Sequence, residues 1–310
     1  MDFLVNWLAN VPSFAVPFAL AALGLIICEK SGVLNLGAEG YMLVGAMAGA
    51  GAMLSLGQHP LLALAIAALA AGVLSLLFAL LVIALRVNQV ISGLVIVFFA
   101  HGLTALIATM RGWTNRAFAG LGDVDLGPLS SLPAVGRILF QQDLIVYLTI
   151  VIFALAMHVL YATHTGIRLR AVGENPEAAD AAGISVGWYR FGAVVVGSML
   201  IGLAGGYLTV AVSKIWVDGM SGGRGWIAIA LVIFARWQPW PALAGAVLFG
   251  CIEALIPRMA AIGLQLPQYF VLMLPYIVTL GVMVWTSLSA GRRSGQPGAL
   301  GQPFVREERR

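Results

Sequence analysis

Residues 17–56 read PFALAALGLIICEKSGVLNLGAEGYMLVGAMAGAGAMLSL: two apolar runs separated by EKSGVLNLGAEG at 29–40. A hydrocarbon core of about 30 Å is crossed by about 20 helical residues, and the two runs belong to apolar segments near that length, 12–28 and 39–57. The interruption holds Gly32, Gly37 and Gly40, which lower helix propensity and allow close backbone approach. Asn35 and Glu39 stand among them, side chains able to satisfy backbone groups that a break in a helix would free. Two readings fit: a loop at the membrane edge between two spans, or a broken helix dipping into the bilayer.

The rest of the chain has the same character. Of 310 residues 61% are hydrophobic and 10% charged, with mean hydropathy +0.97; a soluble domain carries roughly a quarter charged residues. The composition predicts an all-α, polytopic transmembrane bundle. Apolar segments lie at 12–28, 39–57, 60–85, 90–110, 143–162, 189–212, 225–238, 240–257 and 268–289, which predicts eight to ten spans within a membrane domain at 1–290. The polar intervals at 111–142 and 163–188 separate them, and the Gly-, Pro- and Arg-rich tail 291–310 reads as disordered.

The net charge of +4 comes from basic residues scattered between apolar segments, a pattern that reports orientation and does not suit nucleic acid. Counting Lys and Arg on alternate sides of nine spans gives eleven on the side of 163–188 and the tail, six on the other. The positive-inside rule then puts the C-terminus in the cytoplasm and the N-terminus outside. Met1–Asn10 lacks the basic start and small-residue cleavage pattern of a removed signal. Cys28 and Cys251 sit in apolar surroundings without metal spacing and read as packing residues.

An internal repeat accompanies this pattern. GAEGYMLVGA (37–46) aligns with GGRGWIAIAL (222–231), each opening an apolar segment with glycine, a charged residue, glycine and an aromatic. HPLLALAIAAL (59–69) aligns with PWPALAGAVLF (239–249) at a slightly shorter offset. The copies run in opposite directions in the nine-span topology, as in inverted repeats whose broken helices approach a transport pathway.

The interval THTGIRLRAVGENPEAADAAGISVGWYR (163–190) writes a short free-standing helix. Asn175 suits the N-cap, Pro176 the first helical position and Gly183 a left-handed stop, so Pro176–Ala182 is predicted to be helical. Glu177 and Asp180 favour the N-terminus, and the alanines, Ala178 and Ala179 among them, permit close approach. Two turns are not stable alone in water and need a surface to pack on.

EAADAAGI resembles the EAA-x-x-x-G-I pattern of permease subunits of ATP-binding-cassette (ABC) importers, in which this loop is a coupling helix that docks on the ATPase subunit. GIRLRAVGENPEAADAAGI is similar to the class that includes ribose, branched-chain amino acid and purine nucleoside importers. EKSGVLNLGAEGYMLVG (29–45) and NQVISGLVIVFFAHGL (88–103) resemble its nucleoside and simple-sugar branch. The resemblance runs over most of 15–285. It implies coupling to an ATPase through Gly173, Asn175, Pro176, Glu177, Ala178, Ala179 and Gly183. It also implies a second homologous permease, two ATP-binding subunits, an extracytoplasmic solute-binding protein and a place in a bacterial inner membrane. Purine nucleosides are the first-choice substrate, simple sugars the second and branched-chain amino acids the third.

The chain holds no G-x-x-x-x-G-K-[ST], so ATP and Mg are expected on partner subunits and no cofactor on this one. It holds no H-E-x-x-H, G-x-S-x-G or Cys/His cluster, and an enzyme or a metal site is not expected. Polar groups in or beside spans are costly and should face protein or water. On that ground the pathway candidates are Asn35, Glu39, Asn88, Gln89, Ser92, His101, Arg224 and Glu253. The nine-span topology sets Glu39 and Arg224 near opposite ends of their spans. Trp216 and Trp226 suit an interfacial belt. A secondary transporter is the alternative that the repeat alone would serve equally well.

Overall fold

A computed structural model describes residues 2–57, 59–125, 127, 130, 135–261 and 295–305, with isolated positions between 273 and 284. Its elements are α1 (Asp2–Glu29), α2 (Ala38–Ser55), α3 (Pro60–Ala79), α4 (Gln89–Arg111), β1 (Asp123–Asp125), β2 (Gln141–Asp143), α5 (Leu144–Ala162), α6 (His164–Glu174), α7 (Pro176–Ala181), α8 (Val186–Tyr207), α9 (Arg224–Phe234) and α10 (Pro239–Ala261). π turns extend α3 over Leu80–Ala84 and α8 over Leu208–Ser213. Among the described residues six helices, α1, α3, α4, α5, α8 and α10, are long and apolar enough to cross a membrane. The protein is an all-α, multi-pass membrane bundle.

Burial sorts the helices by role. α2 is covered on nearly every side, and small residues explain how. A Cβ on Gly45 would stand 2.1 Å from the carbonyl oxygen of Gly202 in α8, so the two backbones touch only because both positions are glycine. Phe18, Leu23 and Ile26 of α1, Tyr41 and Leu43 of α2, and Ile201 of α8 belong to the same buried core. α3 and α4 present the opposite character outward: Leu69, Val73, Leu80, Val95 and Phe98 are exposed apolar side chains. Contiguous apolar surface of that extent suits lipid or another membrane chain.

The bundle has two distinguishable ends. At one end lie α6, α7 and the segment 30–37. At the other, β1 pairs antiparallel with β2 in the register Asp123–Asp143 and Asp125–Gln141. Asp143 caps α5 there, accepting from the Ile145 and Val146 amides and from the Tyr207 hydroxyl. Burial pushes the Asp143 carboxyl above its ordinary range, and those three hydrogen bonds pull it back. At the same end 115–121 lies along 210–216, with Asn115 N–H donating to Trp216 and Phe118 N–H to Lys214. Trp216 is fully buried beneath that segment, so it is no interfacial belt residue; Trp226 is partly exposed.

Two expectations are corrected. The apolar segment 225–238 is not a span: α9 has 11 residues, about 16 Å at 1.5 Å per residue, half of the hydrocarbon. It stops because Arg236 and Trp237 take left-handed backbone angles, φ +53° and +56°. The tail is not disordered over 295–305, because its backbone finds partners far away in sequence. Ala299 N–H donates to Gly173 and Gly301 N–H to Gly32. The ninth apolar segment, 268–289, falls outside the described residues apart from isolated positions.

Candidate functional site

The break between α1 and α2 is built into the interior. Glu29 ends α1, Gly32 adopts φ +88°, and 30–37 continues without helix into α2. Ser31, Gly32, Val33, Asn35 and Gly37 are buried. Asn35 Oδ1 accepts the Gly37 N–H at 3.0 Å, a side-chain turn that redirects the chain into α2. Gln89 Oε1 accepts the Leu34 N–H at 2.7 Å, pinning the segment to the first turn of α4. Because Gly93 of α4 packs against Leu36 and the Gly37 amide, α2 begins a full turn deeper than α4.

At that depth α2 meets α9. Glu39 accepts the Gly223 N–H at 2.9 Å through Oε1 and the Gly225 N–H at 2.7 Å through Oε2. Its carboxylate therefore caps the start of α9 from a different helix. A Cβ on Gly225 would lie 2.4 Å from the Glu39 backbone nitrogen, so only glycine permits this contact. Arg224 turns away and donates to Glu253 Oε2 of α10 from Nε at 3.1 Å and from Nη2 at 3.0 Å. Its Nη1 donates to the Met220 and Ser221 carbonyls.

Glu39 and Arg224 are thus not near opposite ends of the membrane. Both helices start at one level and depart in opposite directions. α2 runs toward the strand end alongside the C-terminal half of α8, where Thr209 donates to the Ala46 carbonyl. α9 runs toward the α7 end, where Trp237 Nε1 donates to Glu29 Oε2 at 2.5 Å. The aligned stretches 37–46 and 222–231 meet start to start, as an inverted pair would.

The candidate residues divide accordingly. Asn35, Glu39, Gln89 and Ser92 come together where 34–39 faces the start of α4, and Arg224 with Glu253 joins them through α9. Asn35 Nδ2, Gln89 Nε2 and Ser92 Oγ are buried without a protein partner among the described residues. Asn88 is an exposed N-cap, accepting from the Val90 and Ile91 amides. His101 is exposed on α4, apart from the cluster. No group of three or more metal-ligating side chains occurs among the described residues. The Gly223 and Gly225 amides and the Glu29–Trp237 bond carry no sequence pattern of their own; the repeat alignment and the charge of Arg224 are what point toward 222–225.

The second candidate region is α7. Asn175 Oδ1 accepts the Ala178 N–H at 2.9 Å, Pro176 opens the helix and Gly183 closes it at φ +79°. Ala179 packs inward with Val172 and Val186, while Glu177, Ala178, Ala181 and Ala182 are exposed. A Cβ on Gly173 would lie 2.2 Å from the Lys30 carbonyl oxygen, so the last turn of α6 rests directly on the break after α1. Lys30 itself is mostly covered, and burial pushes its ammonium below the usual lysine range. The Glu174 carboxylate acts the other way, and Arg170 adds to the lowering.

A membrane bundle with a buried helix break, a half-helix meeting it, and a capped two-turn helix projecting at one end defines a transport protein's membrane subunit. Residues 7–283 match the family model described as branched-chain amino acid transport system / permease component. The chain belongs to that permease family. It is 35% identical to a putative glucose ABC transporter permease protein of Haloferax volcanii, over 99% of both chains. It is 33% identical to a guanosine ABC transporter permease protein of Bacillus subtilis, over 96% of this chain and 95% of that one. A nucleoside ABC transporter permease protein of Lactococcus lactis is 33% identical over 89% of this chain and 90% of its own. No solved structure matches the chain.

Proposed function

We propose that the chain is the permease subunit of an ATP-driven importer of purine nucleosides or simple sugars. The observation that carries this reading is the near-complete alignment with permeases named for guanosine, nucleosides and glucose. The chain pairs with a second permease and works with two ATPase subunits, which bind ATP and Mg. A solute-binding protein delivers to the strand end, where 214–218 offers Lys214 and Asp218. The strand end faces outward and α7 faces the cytoplasm of a bacterial cell, in keeping with the surplus of Lys and Arg on the α7 side.

The candidate residues other than Asn88 and His101 then have a part. The exposed face of α7 seats on the ATPase, with Asn175, Pro176 and Gly183 shaping the helix and Gly173 resting it on the 30–37 segment. ATP-driven closure of the ATPases moves α7. The unpartnered polar atoms of Asn35, Gln89 and Ser92 suit an uncharged, hydroxylated solute, since each offers a hydrogen bond that the protein leaves unmade. Glu39, Arg224 and Glu253 hold the frame of that patch.

The test is uptake into proteoliposomes holding this chain, its partner permease and the ATPases, with the binding protein supplied outside. Guanosine or glucose accumulation that requires internal ATP and survives collapse of ion gradients is expected. Ion-driven uptake by this chain alone would overturn the reading in favour of a secondary transporter. Glu177→Lys and Gly183→Pro should leave the protein in the membrane and uncouple ATP hydrolysis from uptake.

A further inference from the structure

The segment 295–305 folds back on the α7 end and is tied down at five points. Gly295 accepts from Lys30 Nζ at 3.0 Å, and Gly298 N–H donates to Glu174 Oε2 at 3.1 Å. Ala299 N–H donates to Gly173 at 2.9 Å and Gly301 N–H to Gly32 at 3.1 Å. Arg190 Nη1, from a side chain only 4% exposed, donates to the Gln302 carbonyl at 3.1 Å. Phe304 then packs beside Val172, Ala179 and Val186, the apolar footing of α7.

The result is a groove of about 360 Å³ between the start of α7 and the returning segment, walled by Glu174, Glu177, Gly298, Gln302, Phe304 and Val305. Two carboxylates line it and, among the described residues, no lysine or arginine does. Those carboxylates favour a cationic side chain over an anionic one. The groove shares Asn175, Pro176 and Glu177 with α7, so a surface seated on α7 also covers the groove.

We propose that 295–305 and α7 form one docking surface, and that the groove receives a lysine or arginine side chain of the ATPase subunit. This rests on the reading of α7 as the ATPase-docking helix. The C-terminal segment would then be part of the interface, and the acidic pair Glu174 and Glu177 would select the residue that enters.

A photo-crosslinking amino acid placed at 177, 302 or 305 in the assembled complex tests it. Crosslinks to the ATPase from all three positions are expected. Crosslinks from 177 alone would overturn the proposal and leave α7 docking intact; none from 177 would overturn both. Gln302→Arg sets a cation inside the groove while keeping the backbone carbonyl that holds Arg190. ATPase affinity should fall about tenfold for this variant, the loss of one charge-assisted contact of about 1.4 kcal/mol. Gln302→Ala should bind as the native chain does. Equal affinities for the Arg and Ala variants would overturn the assignment of a cationic partner.

Discussion

The starts of α2 and α9 share a pattern of glycine, charge, glycine and aromatic, yet they solve their electrostatics in opposite ways. α2 opens with no side-chain cap and carries Glu39 in its first turn, where an acid is favourable. α9 opens with Arg224, where a base is unfavourable, and is completed by the carboxylate that α2 supplies. Two helix starts brought together each contribute roughly half a positive charge, and Arg224 adds a full one. Glu39 and Glu253 offset that sum. The two copies have diverged in charge, and one has become the cap of the other.

Several substitutions can break this asymmetry, and they differ in severity. Gly225→Val drives a Cβ to within 2.4 Å of the Glu39 backbone, so the folded protein should be lost from detergent extracts. Gly40→Ala at the matching glycine meets Ile96 oxygen at 3.0 Å and should yield folded protein with a lowered melting temperature. Equal yields would show that the two starts are not as unequal as the contacts imply.

Glu253→Leu leaves Arg224 uncompensated. With the Arg224 side chain still 23% exposed, a loss of about 3 kcal/mol is expected, the low end for breaking a buried pair. Arg224→Met in the same chain should recover most of it, measured by thermal unfolding in detergent. Glu39→Gln keeps one acceptor but turns an amide N–H₂ toward the other backbone donor, at a cost of about 1–3 kcal/mol. If it melts as the native protein does, the cross-helix cap contributes nothing. Asn35→Ala removes the turn to Gly37, and about 1 kcal/mol of stability should be lost.

Much of this fold is legible in hydropathy and caps. Each of the six long helices has an apolar run that announces it, and α7 follows from Asn175, Pro176 and Gly183, one residue shorter than the sequence suggests. The meeting of Glu39 with Gly223 and Gly225 is not legible, because it depends on how deep each helix starts. Hydropathy reads 225–238 as one apolar stretch and does not register the left-handed turn at Arg236 and Trp237. The tail misleads for a related reason. Gly, Pro and Arg leave it few apolar side chains to bury, while what holds 295–305 is backbone hydrogen bonding to Gly32 and Gly173, invisible to composition. Asn35, Gln89 and Ser92 are legible because polar side chains in an apolar chain are few; Asn88 and His101 meet the same criterion and sit outside the cluster.

The return of 295–305 across α7 bears on how the protein should be handled at the bench. Val305 lines the same groove as Glu177, so an affinity tag or fluorescent protein fused directly after Val305 would start beside Glu177. Such a fusion would crowd the face on which the ATPase is proposed to sit, and a complex purified through it would be depleted of its motor. A tag ahead of Asp2 starts α1 at the strand end, where Trp7 already bonds the Cys251 carbonyl, and leaves that face clear.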